Sequence, residues 1–150
     1  MAIRNIVQIG DPVLRKRSFE VTDFGAKTHE LLDDMKQTLI KAEGVGLAAV
    51  QVGVLRRIFI LLIEGNYYEC INPEIISQKG KQVDNEGCLS VKGKYGCVER
   101  PMNVTLKAQD RFGKEFTLKA KGFLARAICH EFDHLNGTLY VDKAIEVLED

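Results

Sequence analysis

Hydrophobic positions change their period several times along the 150-residue chain. Residues 1–22 keep no steady period, and Ile6, Ile9, Val13 and Leu14 are the apolar anchors there. Asp23 can cap a helix running to about Ala42. Leu31, Leu32, Met35 and Leu39 recur near helical spacing within it, and Gly44 is a reasonable terminator. The run "GVGLAAVQVG" at 44–53 is too glycine-rich for a helix interior. "RRIFILLI" then reads as a buried strand. "YECINPEII" and "VDNEGCLSV" read as short extended segments. Val104, Leu106 and Ala108 alternate on one arm of a hairpin, Phe116 and Leu118 on the other, with the turn near Asp110–Gly113. "FLARAICHEFDHL" predicts a second helix, stopped by Gly137 at the C′ position. "TLYVDKAIEVLED" closes the chain. A helix, then mostly strands, then a helix suggests an α+β fold with antiparallel or mixed sheets.

Composition narrows the classes. With 45% hydrophobic and 28% charged residues the chain has an ordinary globular make-up. Its length suits one domain, expected over 1–150, able to bury a core without disulfides. Basic and acidic residues balance at 21 each, which removes a net-charge argument for nucleic acid or an anionic membrane, though not for a local basic patch. No stretch approaches the roughly 20 apolar residues that span a bilayer. The first residues show no apolar core or cleavage site, and Asp11 disfavours a transit peptide. The expected location is the cytoplasm. Cys70, Cys88, Cys97 and Cys129 are then expected as free thiols.

The second helix carries "CHEFDHLNG" at 129–137. Residues four apart share one helix face, so His130 and His134 can point at one metal ion. Glu131 lies about 100° round the helix and can lean over the ion's open side as a general base toward water. A chance match of so short a pattern is common. Here, however, Ala125, Ala127, Ile128, Phe132 and Leu135 make the helix apolar, and buried histidines and carboxylates need a reason. Two imidazoles need a third protein ligand. One peptidase class supplies a histidine six residues on, where this chain has Tyr140. Another takes a downstream glutamate, but only the polar Glu146 and Glu149 remain. His29 sits on the charged side of the first helix.

Cys88, in "NEGCLSV", is the best remaining candidate, since a thiolate binds zinc or ferrous iron well. Its bland alternative is a small buried hydrophobe. Cys70, Cys97 and Cys129 fit less well and are read as structural. Gln51 is an amide among small and apolar neighbours. Either it faces solvent, or its N–H₂ helps to stabilise an oxyanion. The glycine run lacks the lysine and hydroxyl of a phosphate loop.

Three blocks, "GVGLAAVQ", "EGCLS" and "HEFDH", together resemble the signature motifs of peptide deformylases, in order and spacing. "GDPVLRKRS" and "GCVERP" are similar to that family too. The chain ends soon after "YVDKAIEVLED", where many members carry a longer C-terminal segment. The resemblance implies an α+β fold whose mixed or antiparallel sheets pack around a central metal-binding helix, with an N-terminal helix. It implies removal of the formyl group from the N-terminal formyl-methionine of new polypeptides, releasing formate. It assigns Cys88, His130 and His134 to one divalent ion, expected to be Fe(II), with Zn, Ni or Co able to substitute. Glu131 is then the proton carrier, and the Gln51 amide and the Leu89 N–H stabilise the oxyanion. Substrate contacts are expected at Val45, Gly46, Gly87, Phe123, Arg126 and Ala127, with Arg126 lining a methionine pocket by its stem. Val45 and Gly46 would pair with an extended peptide. A monomer working on formyl-Met nascent chains at the ribosome is expected, with no membrane and no nucleic-acid motif. The rival readings are a zinc endopeptidase with another third ligand and a closed structural metal site.

Overall fold

In the computed structural model, which describes residues 2–149, the helices are Ala26–Ala42 (α1) and Phe123–Leu135 (α2). The strands are Gly46–Ala48 (β1), Ile58–Ile63 (β2), Asn66–Lys79 (β3), Gln82–Cys88 (β4), Val91–Arg100 (β5), Asn103–Gln109 (β6), Glu115–Lys121 (β7) and Glu146–Glu149 (β8). One sheet has the order β1-β2-β3-β6-β7 and a second the order β4-β5-β8. Every pairing within them is antiparallel. Of the two sheet types expected, the antiparallel one is present. A lone parallel bridge joins Phe19 to Arg56 outside the strands.

The larger sheet lies between the helices. Ile58 and Ile60 of β2 pack with Leu31, Leu32, Met35 and Leu39 of α1. Phe59 and Leu61, pointing the other way, pack with Ala125, Ile128 and Leu135 of α2. That is why "IFIL" is an unbroken apolar run: both faces of the strand are buried, so its period of two is hidden. Each such side chain contributes about 1.5–3 kcal/mol by leaving water. The hairpin has its expected faces, with Val104, Leu106 and Ala108 buried on the α2 side and Leu106 opposite Leu118.

Several boundaries differ from the sequence reading. α1 begins at Ala26 behind a Gly25 cap, because the Asp23 carboxylate accepts the Gly25 N–H at 2.8 Å in a turn before the helix. At its other end Glu43, not Gly44, takes the left-handed conformation at φ 56°. "YECINPEII" is part of the 14-residue β3, which passes Pro73 by shifting register between Ile71 and Glu74 and shifts again between Ile75 and Ser77. Asn72 absorbs the irregularity at φ 50°. The polar tail is also structured: β8 closes the smaller sheet against β5, pairing Tyr95 with Leu148.

Candidate metal centre and active site

His130 and His134 sit one turn apart on α2, and Cys88 ends β4 of the other sheet. One ligand atom from each lies within 4.8 Å of the others. Cys88 Sγ is 3.3 Å from His134 Nε2. His130 and His134 are buried and Cys88 is partly buried. Burial, with the positive charge of His130 and Arg100, pulls the His134 pKa well below its ordinary value, so it stays neutral and able to ligate. Burial also pushes the thiols of Cys70 and Cys129 up to about 12 and about 11, as suits structural cysteines.

A charge network that the sequence reading did not find surrounds this centre. Glu86 of β4 accepts from His130 Nδ1 at 2.8 Å, which turns Nε2 toward Cys88. Its carboxylate also holds Arg100 at 2.8 and 2.9 Å, and Arg126. Burial opposes its charge, but hydrogen bonds from Arg100 and His130 win and hold its pKa well below the carboxylate range. Arg100 reaches on to Asp133 at 2.7 Å, and Lys143 joins Asp133 at 3.0 Å. The partners lie 10 to 44 positions apart, so no local pattern shows them. The available signal was Glu86 itself, two residues before Cys88 on one strand. Tyr140, in the slot of a third histidine, instead stacks its ring on His130 with centroids 6.0 Å apart.

Glu131 is 4% exposed, and its Oε1 has no hydrogen-bond partner among the described residues. Burial pushes its pKa up to about 7, against the lowering effect of His130. Its other oxygen lies against Gly46: a Cβ there would sit 2.5 Å from Oε2. Only glycine lets β1 come this close. Gln51 is 1% exposed, which rejects the solvent-facing alternative. Its Oε1 takes the Ala48 N–H at 2.9 Å, so the N–H₂ end must point the other way. That end lies 3.1 Å from Ser90 Oγ and 3.6 Å from Cys88 Sγ.

A cleft of about 420 Å³ runs over these groups. It is lined by Gly44, Val45 and Gly46 at the start of β1, by Gly87, Cys88 and Leu89 at the end of β4, and by Phe123, Arg126, Ala127, His130 and Glu131 of α2. All the residues singled out in the sequence except His134 therefore line it or, like Gln51, reach into it. His134 is 1% exposed and meets the cleft only through Cys88 Sγ, 3.3 Å from its Nε2. Arg126 does line the cleft, but its guanidinium is committed to Glu86 and to the Val98 carbonyl at 3.0 Å. The Cys-His-His donors suit a borderline divalent ion, and the orphaned Glu131 oxygen needs a partner that the chain does not supply. The residues present fit a metal.

A histidine pair on a buried helix, completed by a strand cysteine beneath a cleft and flanked by a carboxylate, defines the class: a metal-dependent hydrolase. The family model described as polypeptide deformylase matches residues 3–149. A peptide deformylase of Caldicellulosiruptor bescii is 53% identical, covering 100% of this chain and 90% of its own length. The crystal structure of peptide deformylase from Thermotoga maritima superposes with a TM-score of 0.95 at 37% identity, covering 97% of this chain and 100% of that one. A peptide deformylase structure from Legionella pneumophila gives 0.93 at 45% identity, covering 95% and 86%. The chain belongs to the polypeptide deformylase family, metal-dependent hydrolases that remove the N-formyl group from the N-terminal formyl-methionine of new polypeptides. Among the described residues no helix is long and apolar enough to cross a membrane.

Proposed function

We propose that Cys88, His130 and His134 hold one ferrous ion, which zinc, nickel or cobalt can replace, and that Glu131 is the proton carrier of deformylation. The observation that carries this is the meeting of the three ligand atoms within 4.8 Å under a cleft that Glu131 borders. A divalent ion in this donor set supplies Lewis acidity to the attacking water and the formyl carbonyl. Glu131 takes the proton of that water as it attacks the formyl carbon. It then gives the proton to the amine that leaves. The Gln51 N–H₂, fixed by Ala48, and the Leu89 N–H receive the oxyanion. Val45 and Gly46 pair with the extended peptide, Gly87 faces them, and Phe123, Ala127 and the Arg126 stem take the methionine side chain. The formyl group presents only hydrogen where acetyl has a methyl, so the narrow approach at Gly46 favours it.

On this reading residues 1–150 form one deformylase domain, a cytoplasmic monomer acting on nascent chains at the ribosome. The test is anaerobically purified protein given formyl-Met-Ala-Ser, with formate measured for its iron, nickel and zinc forms. No formate from any form sinks the reading. Glu131→Gln should keep its metal and lose about 10²–10⁴ in rate. Cys88→Ala with unchanged metal content would instead favour a zinc endopeptidase. Activity of the iron form should decay in air as Fe(II) and the thiolate oxidise.

A further inference from the structure

The outer face of the larger sheet carries a short basic strip. α1 covers the outer face of the larger sheet over Ile58, Ile60 and Ile71. Past Ile71 that face continues across β3, β6 and β7. Val104, Leu106 and Ala108 of β6 point to the α2 side, so Asn103, Thr105 and Lys107 point outward. Register places their neighbours: Lys79 and Lys121 flank Asn103, and Ser77 and Lys119 flank Thr105. Ser77, Lys79, Asn103, Lys119 and Lys121 are all exposed. From strand spacing, Lys79 and Lys121 stand about 10 Å apart at their roots, and Lys119 about 7 Å from Lys121.

None of these three lysines has a carboxylate in ion-pairing reach among the described residues, whereas Lys107 further along the strip meets Glu115 at 3.5 Å and stands opposite the exposed Glu74, so the basic part of the face is confined to the end that holds Lys79, Lys119 and Lys121. Lysines on an edge strand deter sheet-to-sheet pairing, which accounts for Lys119 and Lys121 on β7. It does not account for Lys79, which ends an interior strand. The residues between the lysines are neutral donors, Ser77, Asn103 and Thr105, with no aromatic ring among them. Such a surface suits phosphate oxygens and offers nothing for bases to stack on. Lys121 is joined through Gly122 to Phe123 in the cleft, so the strip adjoins the cleft mouth.

We propose that this strip docks on the phosphate backbone of ribosomal RNA and holds the cleft near emerging chains. It rests on the ribosome association proposed above and gives that association a surface. The test is sedimentation of the full chain with purified ribosomes over a range of KCl, for wild type and for Lys79→Glu/Lys119→Glu/Lys121→Glu. With three phosphates engaged, wild-type affinity should fall about 40-fold between about 50 and about 200 mM salt. The triple variant should lose binding at every salt concentration while releasing formate from formyl-Met-Ala-Ser at the wild-type rate. Equal affinity and salt slope for both proteins would overturn the surface and leave ribosome association standing. No wild-type binding at the lowest salt would remove ribosome association, and this surface with it. Preference for anionic phospholipid vesicles over ribosomes would also overturn it. Each result is read separately from deformylation, which the formate assay reports.

Discussion

α1 and α2 lie on opposite faces of one sheet and are buried by different means. α1 turns an apolar stripe inward, Leu31, Leu32, Met35 and Leu39, and keeps most of its charge in water. α2 buries Arg126, His130, Glu131 and His134 beside its apolar residues. An apolar helix needs only a sheet to cover it. A helix with buried charge needs matched charge from elsewhere, and here that comes from Glu86 and Arg100 of the smaller sheet. The smaller sheet thus serves α2 as a counter-charge layer, while α1 buries a single carboxylate, Asp34, which the N-terminal segment matches with Arg4.

The sharpest way to break this contrast is Glu86→Gln, which strips the carboxylate from Arg100, Arg126 and His130 together. Stability should fall by about 3–5 kcal/mol in urea unfolding, and metal affinity by about 10–100-fold. A smaller loss than a truncation on α1 would show that the counter-charge layer is dispensable. Met35→Ala is that truncation. It should lose about 2–5 kcal/mol but leave formate release per folded molecule intact. A change in metal affinity would refute the separation of the two helices. Gly46→Ala forces a Cβ against Glu131 and should cost about 1–3 kcal/mol in strain, with formate release falling more steeply than stability. Retained activity would mean that the β1 wall yields.

The smallest expected effect concerns the one buried carboxylate of α1. Burial disfavours the Asp34 charge, but the Ala2 N–H at 2.7 Å and Arg4 at 2.8 Å outweigh it and hold its pKa below the usual carboxylate value. A depressed folded pKa gives stability that is present above the unfolded value, near 3.8, and lost as pH falls through the folded one. Asp34→Asn should therefore flatten the acid limb of the stability curve below about pH 4, with little change in its shape at neutral pH. An unchanged acid limb would place that linkage elsewhere.

What could be read from the sequence follows the same division. The face of α1, the alternation of the β6–β7 hairpin and the histidine pair of α2 are periodic, and periodicity is local. Cys88 was reached from the chemistry that two histidines leave unfinished. The Glu86–Arg100–Asp133 chain was not reached, because its members are set beside one another only by strand pairing. Arg126 shows the gap most clearly: it lines the cleft, and its head has a partner in Glu86 that the sequence did not show. The length of β3 was hidden for another reason. Pro73 argues against a strand interior, and only a register shift lets the strand pass it.

Of the three proposed ligands one comes from β4 and the others from α2, and Cys88 precedes His134 by 46 residues. At about 5–20 residues per second that separation is roughly 2–9 s of synthesis. A copy still being made therefore carries the thiol in β4 for seconds before the two imidazoles that would share its metal exist. Metal capture is thus a late event of synthesis, tied to the docking of α2 against the smaller sheet, and a chain truncated before α2 would hold one ligand of the three.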